Sequence, residues 1–396
     1  FGLPTNGRMR HQFIMHMDNV RAALNRAFER GDRATAVELG VAAGCHFYGV
    51  GHLAEANHWL STALSASSEA TPNRARALTR AALISGFLDG PDRAQSLVEE
   101  LEATAEELGD DRWRATAIER RALLALSRDD VETASTLWDE AAQLLLDLDD
   151  PEARVPVSNH MEALYYAGDY LKADLVATQL AELGARFDDP ELVASAAIGR
   201  SFIAAWRGDA DSAERYFAAA AEYFDDDAGF DSYGSMFIPG FIALLRGDFD
   251  EAERVGSAHL SSARESRHPD SFYRGLVLIG LVHFHRGDAL TGHRFLIEAL
   301  RDASQVGVKH FQRFVLGATA ATLAMIDPAR GAVLLGAVQA GNRRDHRSMP
   351  APINDAVERA SAALEGSLPA DDLERARRRG REMGLEEAVA FALQAG

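Results

Sequence analysis

Residues 190–220, PELVASAAIGRSFIAAWRGDADSAERYFAAA, carry the reading of the whole chain. Val193, Ala197, Phe202, Ala205 and Trp206 recur at helical spacing, Gly208-Asp209 interrupts them, and Ala213, Tyr216, Phe217 and Ala220 resume the pattern. Apolar residues three and four apart place one side of a helix in a core, and Gly-Asp between two such stretches turns the chain back. The stretch is an antiparallel helix pair. Asp189-Pro190 marks its start, because Asp supplies an N-cap oxygen and Pro suits the first helical turn.

Working outward, the same turn recurs at Gly51, Asp89, Asp129, Gly168, Gly208, Gly247, Gly287 and Asp327, at spacings of 38 to 40 residues. Five positions after each stands a small residue: Ala56, Ala94, Ala134, Ala173, Ala213, Ala252, Gly292 and Ala332. A site that is small in every unit lets the second helix approach the first. Eleven positions before each turn an apolar residue is expected to fill that interface: Leu78, Ile118, Val157, Ala197, Met236, Leu276 and Leu316. Between pairs a second punctuation repeats: Asp110-Asp111, Asp149-Asp150-Pro151, Asp188-Asp189-Pro190 and, more loosely, His268-Pro269-Asp270. No stretch alternates as a strand does, so no nucleotide-binding sheet is predicted.

The fold predicted is all-α, a superhelix of antiparallel helix pairs with a period of 39–40. Residues 1–66 would open the array, 67–342 would form the superhelix and 343–396 would be C-terminal capping helices. Such an architecture explains how 396 residues, more than a typical compact domain holds, can be one quasi-linear body. The composition agrees with a folded chain, at 47% apolar and 26% charged residues.

The 41 Lys+Arg against 60 Asp+Glu leave a charge of −19, which disfavours a nucleic-acid surface, since phosphate binding needs a basic face. No run approaches the 18 or so apolar residues of a membrane span. A single cysteine, Cys45, allows no internal disulfide and fits a reducing compartment, so a cytoplasmic location is expected. No export signal is visible, and a first residue of Phe1 rather than Met suggests a piece of something longer.

Helix pairs with a Gly-Asp-like turn followed by Ala resemble tetratricopeptide repeats, here with a longer period. That likeness implies a right-handed superhelix whose first helices line a concave face. The two ends resemble something more specific. Met17-Asp18-Asn19-Val20-Arg21-Ala22-Ala23-Leu24, Ala27-Phe28-Glu29-Arg30-Gly31-Asp32, Gly51-His52-Leu53-Ala54-Glu55-Ala56 and Trp59-Leu60 with Ala63-Leu64 are similar to the opening of the helical-repeat region in large bacterial signal-transduction ATPases, including LuxR-type regulators and cyclase-fused relatives. Ala329-Arg330-Gly331-Ala332-Val333-Leu334-Leu335-Gly336-Ala337, Arg379-Gly380-Arg381 and Leu385 to Leu393 resemble its close. The segment from Pro350 to Pro369 is shorter than in that family, and no Gly-x-x-x-x-Gly-Lys-[Ser/Thr] loop occurs. The resemblance therefore implies a sensor or partner-binding region whose ATPase lies outside this chain.

Other patterns have structural explanations. Arg-Gly-Asp at Arg30–Asp32, Arg207–Asp209, Arg246–Asp248 and Arg286–Asp288 closes one helix with Gly and caps the next with Asp. His46, His52, His58 and the His283, His285, His293 group lack metal-ligand spacing. Tyr223 to Gly229 looks faintly like a calcium loop with its Gly one position early, and reads as a solvated connection. Cys45, beside Ala43 and Phe47, reads as a buried small residue. Arg375, Arg377, Arg378, Arg379 and Arg381, preceded by Arg343, Arg344 and Arg347, form a solvated cap helix or a dock for an acidic face.

Aligning the units puts Arg80, Arg120, Asn159, Gly199, Ile238 and Leu278 on one inner row, and Glu162, Phe202, Phe241 and Leu281 on the next. Tyr165, Tyr166, Trp206, Tyr233, Phe237, Tyr273 and Arg274 lie close to these rows. The candidate groove is Arg80, Arg120, Asn159, Glu162, Tyr166, Phe202, Tyr233, Phe237, Phe241 and Arg274, polar in its first half and apolar in its second. A stripe of aromatics at this spacing is also what a core looks like. No catalytic residue, cofactor or metal is expected. The expected function is a non-catalytic sensor or regulatory region that binds a protein, a peptide or a small effector and contacts other domains of the same regulator; a free-standing protein-binding scaffold is the alternative.

Overall fold

The computed structural model describes residues 7–31, 33–222, 237–266, 272–306, 309–344 and 348–394. Among them are twenty α-helices and no strand. In chain order α1 is Gly7–Glu29, α2 Arg33–Gly49, α3 Leu53–Ala66, α4 Pro72–Leu88, α5 Pro91–Leu108, α6 Asp111–Ser127 and α7 Val131–Asp147. Then follow α8 Arg154–Ala167, α9 Tyr170–Arg186, α10 Pro190–Trp206, α11 Ala210–Ala221, α12 Ile238–Arg246, α13 Phe249–Ser266, α14 Phe272–His285 and α15 Ala289–Val306. The chain closes with α16 Lys309–Ile326, α17 Pro328–Arg344, α18 Ala351–Ser367, α19 Ala370–Arg381 and α20 Leu385–Leu393.

Most helix pairs are joined by one local device. A residue in the left-handed region ends the first helix, its successor's N–H reaches back to a carbonyl five residues earlier, and that successor caps the second helix. Asp169 donates to the Leu164 carbonyl at 3.0 Å and accepts from the Lys172 N–H at 3.2 Å. Asp209 repeats this with Ala204 and Ser212, Asp248 with Ala243 and Glu251, and Asp288 with His283 and Thr291. The glycine is needed because a Cβ disfavours positive φ. At two of the connections between pairs the turn is made without glycine: Asp149 and Asp188 take φ of 51° and 52°, as Asp129 does at 71° within a pair.

The structure corrects the register at both ends of the turn series. In the second unit the left-handed residue is Gly90, not Asp89, and Gly90 also serves as N-cap of α5, so the connection is one residue shorter. With Gly90 in place the successive left-handed residues from Gly51 to Gly287 are all 39 or 40 apart. In the last unit Asp327 is itself the cap, accepting from the Arg330 N–H, and the position four after the cap is Gly331, not Ala332. A Cβ on Gly331 would collide with the Ala324 backbone, so this crossing is closer than in the other units. The corresponding alanines, Ala56, Ala94, Ala134, Ala173, Ala213 and Ala252, are all buried, as is Gly292.

Of the interface residues, Leu78, Ile118, Val157, Leu276 and Leu316 are buried. Ala197 is only half-buried, since Ala194 and Ala196 face the core of α10 instead. Cys45 is likewise half-buried. Met236, Asp32, His268 to Asp270 and Tyr223 to Gly229 lie outside the described residues.

The helices group into two compact units, one reaching His160 and one beginning at Met161, with the division inside α8. In the first unit Phe47, Leu60, Leu78, Ile84 and Leu101 are enclosed in one apolar core. In the second, α18 lies across several helix pairs. Pro350 closes the segment before it, and α18 packs against α10, α12, α14 and α16, the first helices of four successive pairs. Its buried face, Ile353, Ala356, Val357, Ala360 and Leu364, has the spacing of one helical side. Only α19 and α20 pack at the end of the array, on α15, α16 and α17.

Candidate functional site

In the first unit, α4, α6 and α8 present Arg80, Glu119 with Arg120, and Asn159. Glu119 Oε2 lies 3.0 Å from Arg120 Nη1, and Asn159 Nδ2 donates to Glu119 Oε1 at 2.7 Å. The Glu119 side chain is 4% exposed and that of Arg120 11%. Arg120 Nε is buried without a hydrogen-bond partner. Burial holds the Arg120 guanidinium below its ordinary value; Glu119 opposes this and the charge of Arg80 adds to it. Arg80 is half-buried and lies 5.0 Å from the centre of the Tyr48 ring. Two cations thus share an inner row with one buried carboxylate, and Asn159 takes part of that carboxylate's capacity. The sequence alignment names Arg80, Arg120 and Asn159 but not Glu119, because it compares one position per unit and Glu119 falls one residue before the aligned row.

In the second unit the candidate residues come together differently. Arg274 of α14 is 7% exposed and stands among four rings, with its Cζ at 5.7 Å from Tyr166, 5.3 Å from Phe237, 5.8 Å from Tyr273 and 6.0 Å from Phe311. Its Nε donates to the Tyr273 hydroxyl at 3.1 Å and an Nη donates to Tyr166. Glu162, half-exposed, is 3.6 Å away. Burial works against the Arg274 charge, but Tyr166, Tyr273, Tyr165 and Glu162 more than offset it and raise the guanidinium above its ordinary value. Desolvation in turn drives the Tyr165 and Tyr166 hydroxyls well up.

Around this cage the rings continue without a break. Tyr165 stacks on Phe202 at 5.6 Å, Tyr166 meets Trp206 at 5.1 Å and Phe311 at 5.3 Å, and Trp206 stacks on Phe314 at 5.3 Å. Phe202, Phe237 and Phe241 are all buried in it. They pack against rings and α-helical neighbours and present no open apolar wall, which is the core reading of an aromatic stripe. The nearby inner face is covered by the segment leading into α18. Gly168 leaves no room for a Cβ beside Ser348, Gly317 none beside Met349, and Arg359 Nη1 reaches His285 Nδ1 at 2.7 Å. Tyr233 lies outside the described residues.

Among the described residues no group of three or more His, Cys, Asp and Glu could hold a metal ion. Among them, too, no helix is long and apolar enough to cross a membrane. Of the Arg-Gly-Asp triplets, three are the helix-ending turns described above, with their Asp side chains engaged as caps.

No family model matches the chain, and no curated protein matches it. Solved structures do. One is a tetratricopeptide repeat protein from Parabacteroides merdae, 16% identical, with a TM-score of 0.43, covering 69% of this chain and 98% of its own. Another is a signal-transduction ATPase with numerous domains from Pyrococcus horikoshii, which has a tetratricopeptide repeat sensor. It is 12% identical, with a TM-score of 0.48, and the match covers 96% of this chain and 55% of that one.

Proposed function

We propose that the chain is a non-catalytic sensor or regulatory helical-repeat region of a larger bacterial signal-transduction ATPase or transcription regulator. It binds an effector or protein partner through the inner row of its first unit. The observation that carries the site is Arg120: a buried guanidinium, one N–H unpaired, with a second arginine beside it. A buried donor left unpaired costs the free protein stability, and an anionic group from a partner placed against Arg80 and Arg120 would recover it. Glu162, Tyr166 and Arg274 belong to the same reading as polar groups of the second unit, and Phe202, Phe237 and Phe241 support them from behind. Binding acts on the rest of the regulator by favouring one arrangement of its domains, which requires unequal affinity for the two arrangements.

Two tests separate the parts of this reading. The reading frame around the gene tests the parent: a phosphate-binding loop upstream or a helix-turn-helix downstream supports the regulator, and neither leaves the free-standing scaffold. A thermal-shift screen of the chain against small acids and acidic peptides tests the site. A ligand whose effect is lost in Arg80→Ala supports the inner row; a ligand indifferent to it contradicts the assignment.

A further inference from the structure

Helices α17, α19 and α20 border an open surface depression of about 600 Å³ lined by Arg330, Val333, Arg375, Arg379, Phe391 and Gln394. In a chain with a net charge of −19, this lining holds three arginines and no carboxylate. Their convergence is built by backbone contact. A Cβ on Gly336 would collide with the Arg377 backbone and one on Gly380 with that of Val333, so α17 and α19 cross at glycine on both sides. The arginines therefore project from two helices locked at close range.

Phe391 orders the guanidinium groups. Arg330 lies 5.0 Å and Arg379 5.5 Å from the centre of its ring, and Arg330 also donates to the Phe391 carbonyl at 3.0 Å. A guanidinium held against a ring keeps its N–H edge free to fork an anion. Arg375 is paired with Asp372, while Arg379 meets no carboxylate among the described residues.

Helix electrostatics explain only part of this arrangement. Arg378, Arg379 and Arg381 stand in the last turn of α19, where a cation complements the helix dipole. Arg330 stands in the first turn of α17, where a cation is opposed by it. The C-terminal ends of α19 and α20 offset the positive end of α17, so it is the three arginines around one apolar ring that make a receptor for negative charge.

We propose that this depression binds a small organic anion, a phosphate or carboxylate on an apolar or aromatic body. Arg330, Arg375 and Arg379 hold the charged group, and Phe391 with Val333 receives the body. The depression is open to solvent, so the charged contacts and the Phe391 ring carry the binding. The site is separate from the inner row of the first unit, and its test does not depend on that row.

The experiment titrates the full chain at low salt with phenyl phosphate, benzoate and phenol, followed by NMR or calorimetry. Saturable binding of phenyl phosphate or benzoate, absent for phenol, is expected; which of the two binds more tightly identifies the anion. Arg379→Ala should weaken it at least tenfold, with an unchanged circular dichroism spectrum. Should that variant fail to fold, protection of Arg375 and Arg379 from phenylglyoxal by the same probe in the wild-type chain replaces it. No saturation by either anion, binding by phenol of equal strength, undiminished affinity in folded Arg379→Ala, or no protection from phenylglyoxal would each overturn the proposal.

Discussion

Arg359 of α18 donates to His285 Nδ1 at the end of α14 across 2.7 Å, tying the returning helix to the inner face of the second unit. The bond needs a neutral imidazole. Burial and the Arg359 charge hold His285 below the ordinary histidine value, and only Asp355, at 3.8 Å, opposes them. His293 is lowered in the same sense by burial and Arg330.

A histidine whose folded pKa is depressed contributes stability that is present above its unfolded value and is lost as pH falls. The wild-type chain should therefore lose stability relative to His285→Gln as pH drops below about 6.5, by up to about 1.4 kcal/mol per pH unit. His285→Gln should flatten that slope. A wild-type stability that falls no more steeply than that of His285→Gln over this range would contradict the placement of α18 against His285.

Asp302 has the opposite sign. Desolvation, with Glu298 nearby, pushes its carboxyl up to about 6, and its Oδ2 is buried without a partner. Ionising it costs stability as pH rises through about 6. Asp302→Asn should stabilise the chain at pH 7.5 by on the order of 1 kcal/mol, after allowance for solvent screening, and the gain should vanish near pH 4. Chemical denaturation at the two pH values checks this; an equal effect at both would refute it.

The packing register is open to test at Ala213, buried four residues after the Asp209 cap. Ala213→Leu should cost on the order of 1 to 3 kcal/mol by overpacking α10 against α11. The same change at half-buried Ala197 should cost clearly less. Equal losses would count against the register.

Asp129 occupies the left-handed region at φ 71°, where other turns of the series use glycine. Asp129→Gly should raise stability by about 0.5 to 1 kcal/mol, because the strain on Cβ exceeds the added freedom of the unfolded chain. A lower denaturation midpoint would show that the Asp129 side chain contributes more than its conformation costs.

What was legible in the sequence was local chemistry. A Gly-Asp-like turn and a small residue four after the cap are decided within a few residues, so all eight helix pairs from α2 to α17 are readable directly. The shift from Asp89 to Gly90 was also legible, since a glycine stood beside the aspartate and equalised the spacing. The path of α18 was not. Ile353, Ala356, Val357, Ala360 and Leu364 announce an amphipathic helix, but nothing local says which surface it covers. Likewise the alignment placed Tyr166, Trp206, Phe237 and Arg274 on inner rows, yet the meeting of Tyr166 with Arg274, 108 residues apart, depends on how successive pairs stack. The convergence of Arg330 with Arg379 has a signal in the sequence: Gly336 and Gly380 lie inside helices, where glycine weakens the helix unless another backbone comes close.

The inner row of the first unit is the central claim, and Arg80 is its cleanest probe. Arg80 has no carboxylate partner among the described residues, and its removal leaves the Glu119–Arg120–Asn159 network intact. The decisive measurement is the melting temperature of wild-type and Arg80→Ala chains, with and without the compound that most stabilises the wild type in a screen of small acids and acidic peptides. The account predicts an unchanged or higher melting temperature for the ligand-free variant, because a like charge beside Arg120 is gone, and loss of the ligand-induced rise. A variant that keeps the full ligand-induced rise, or loses several degrees without ligand, would contradict it.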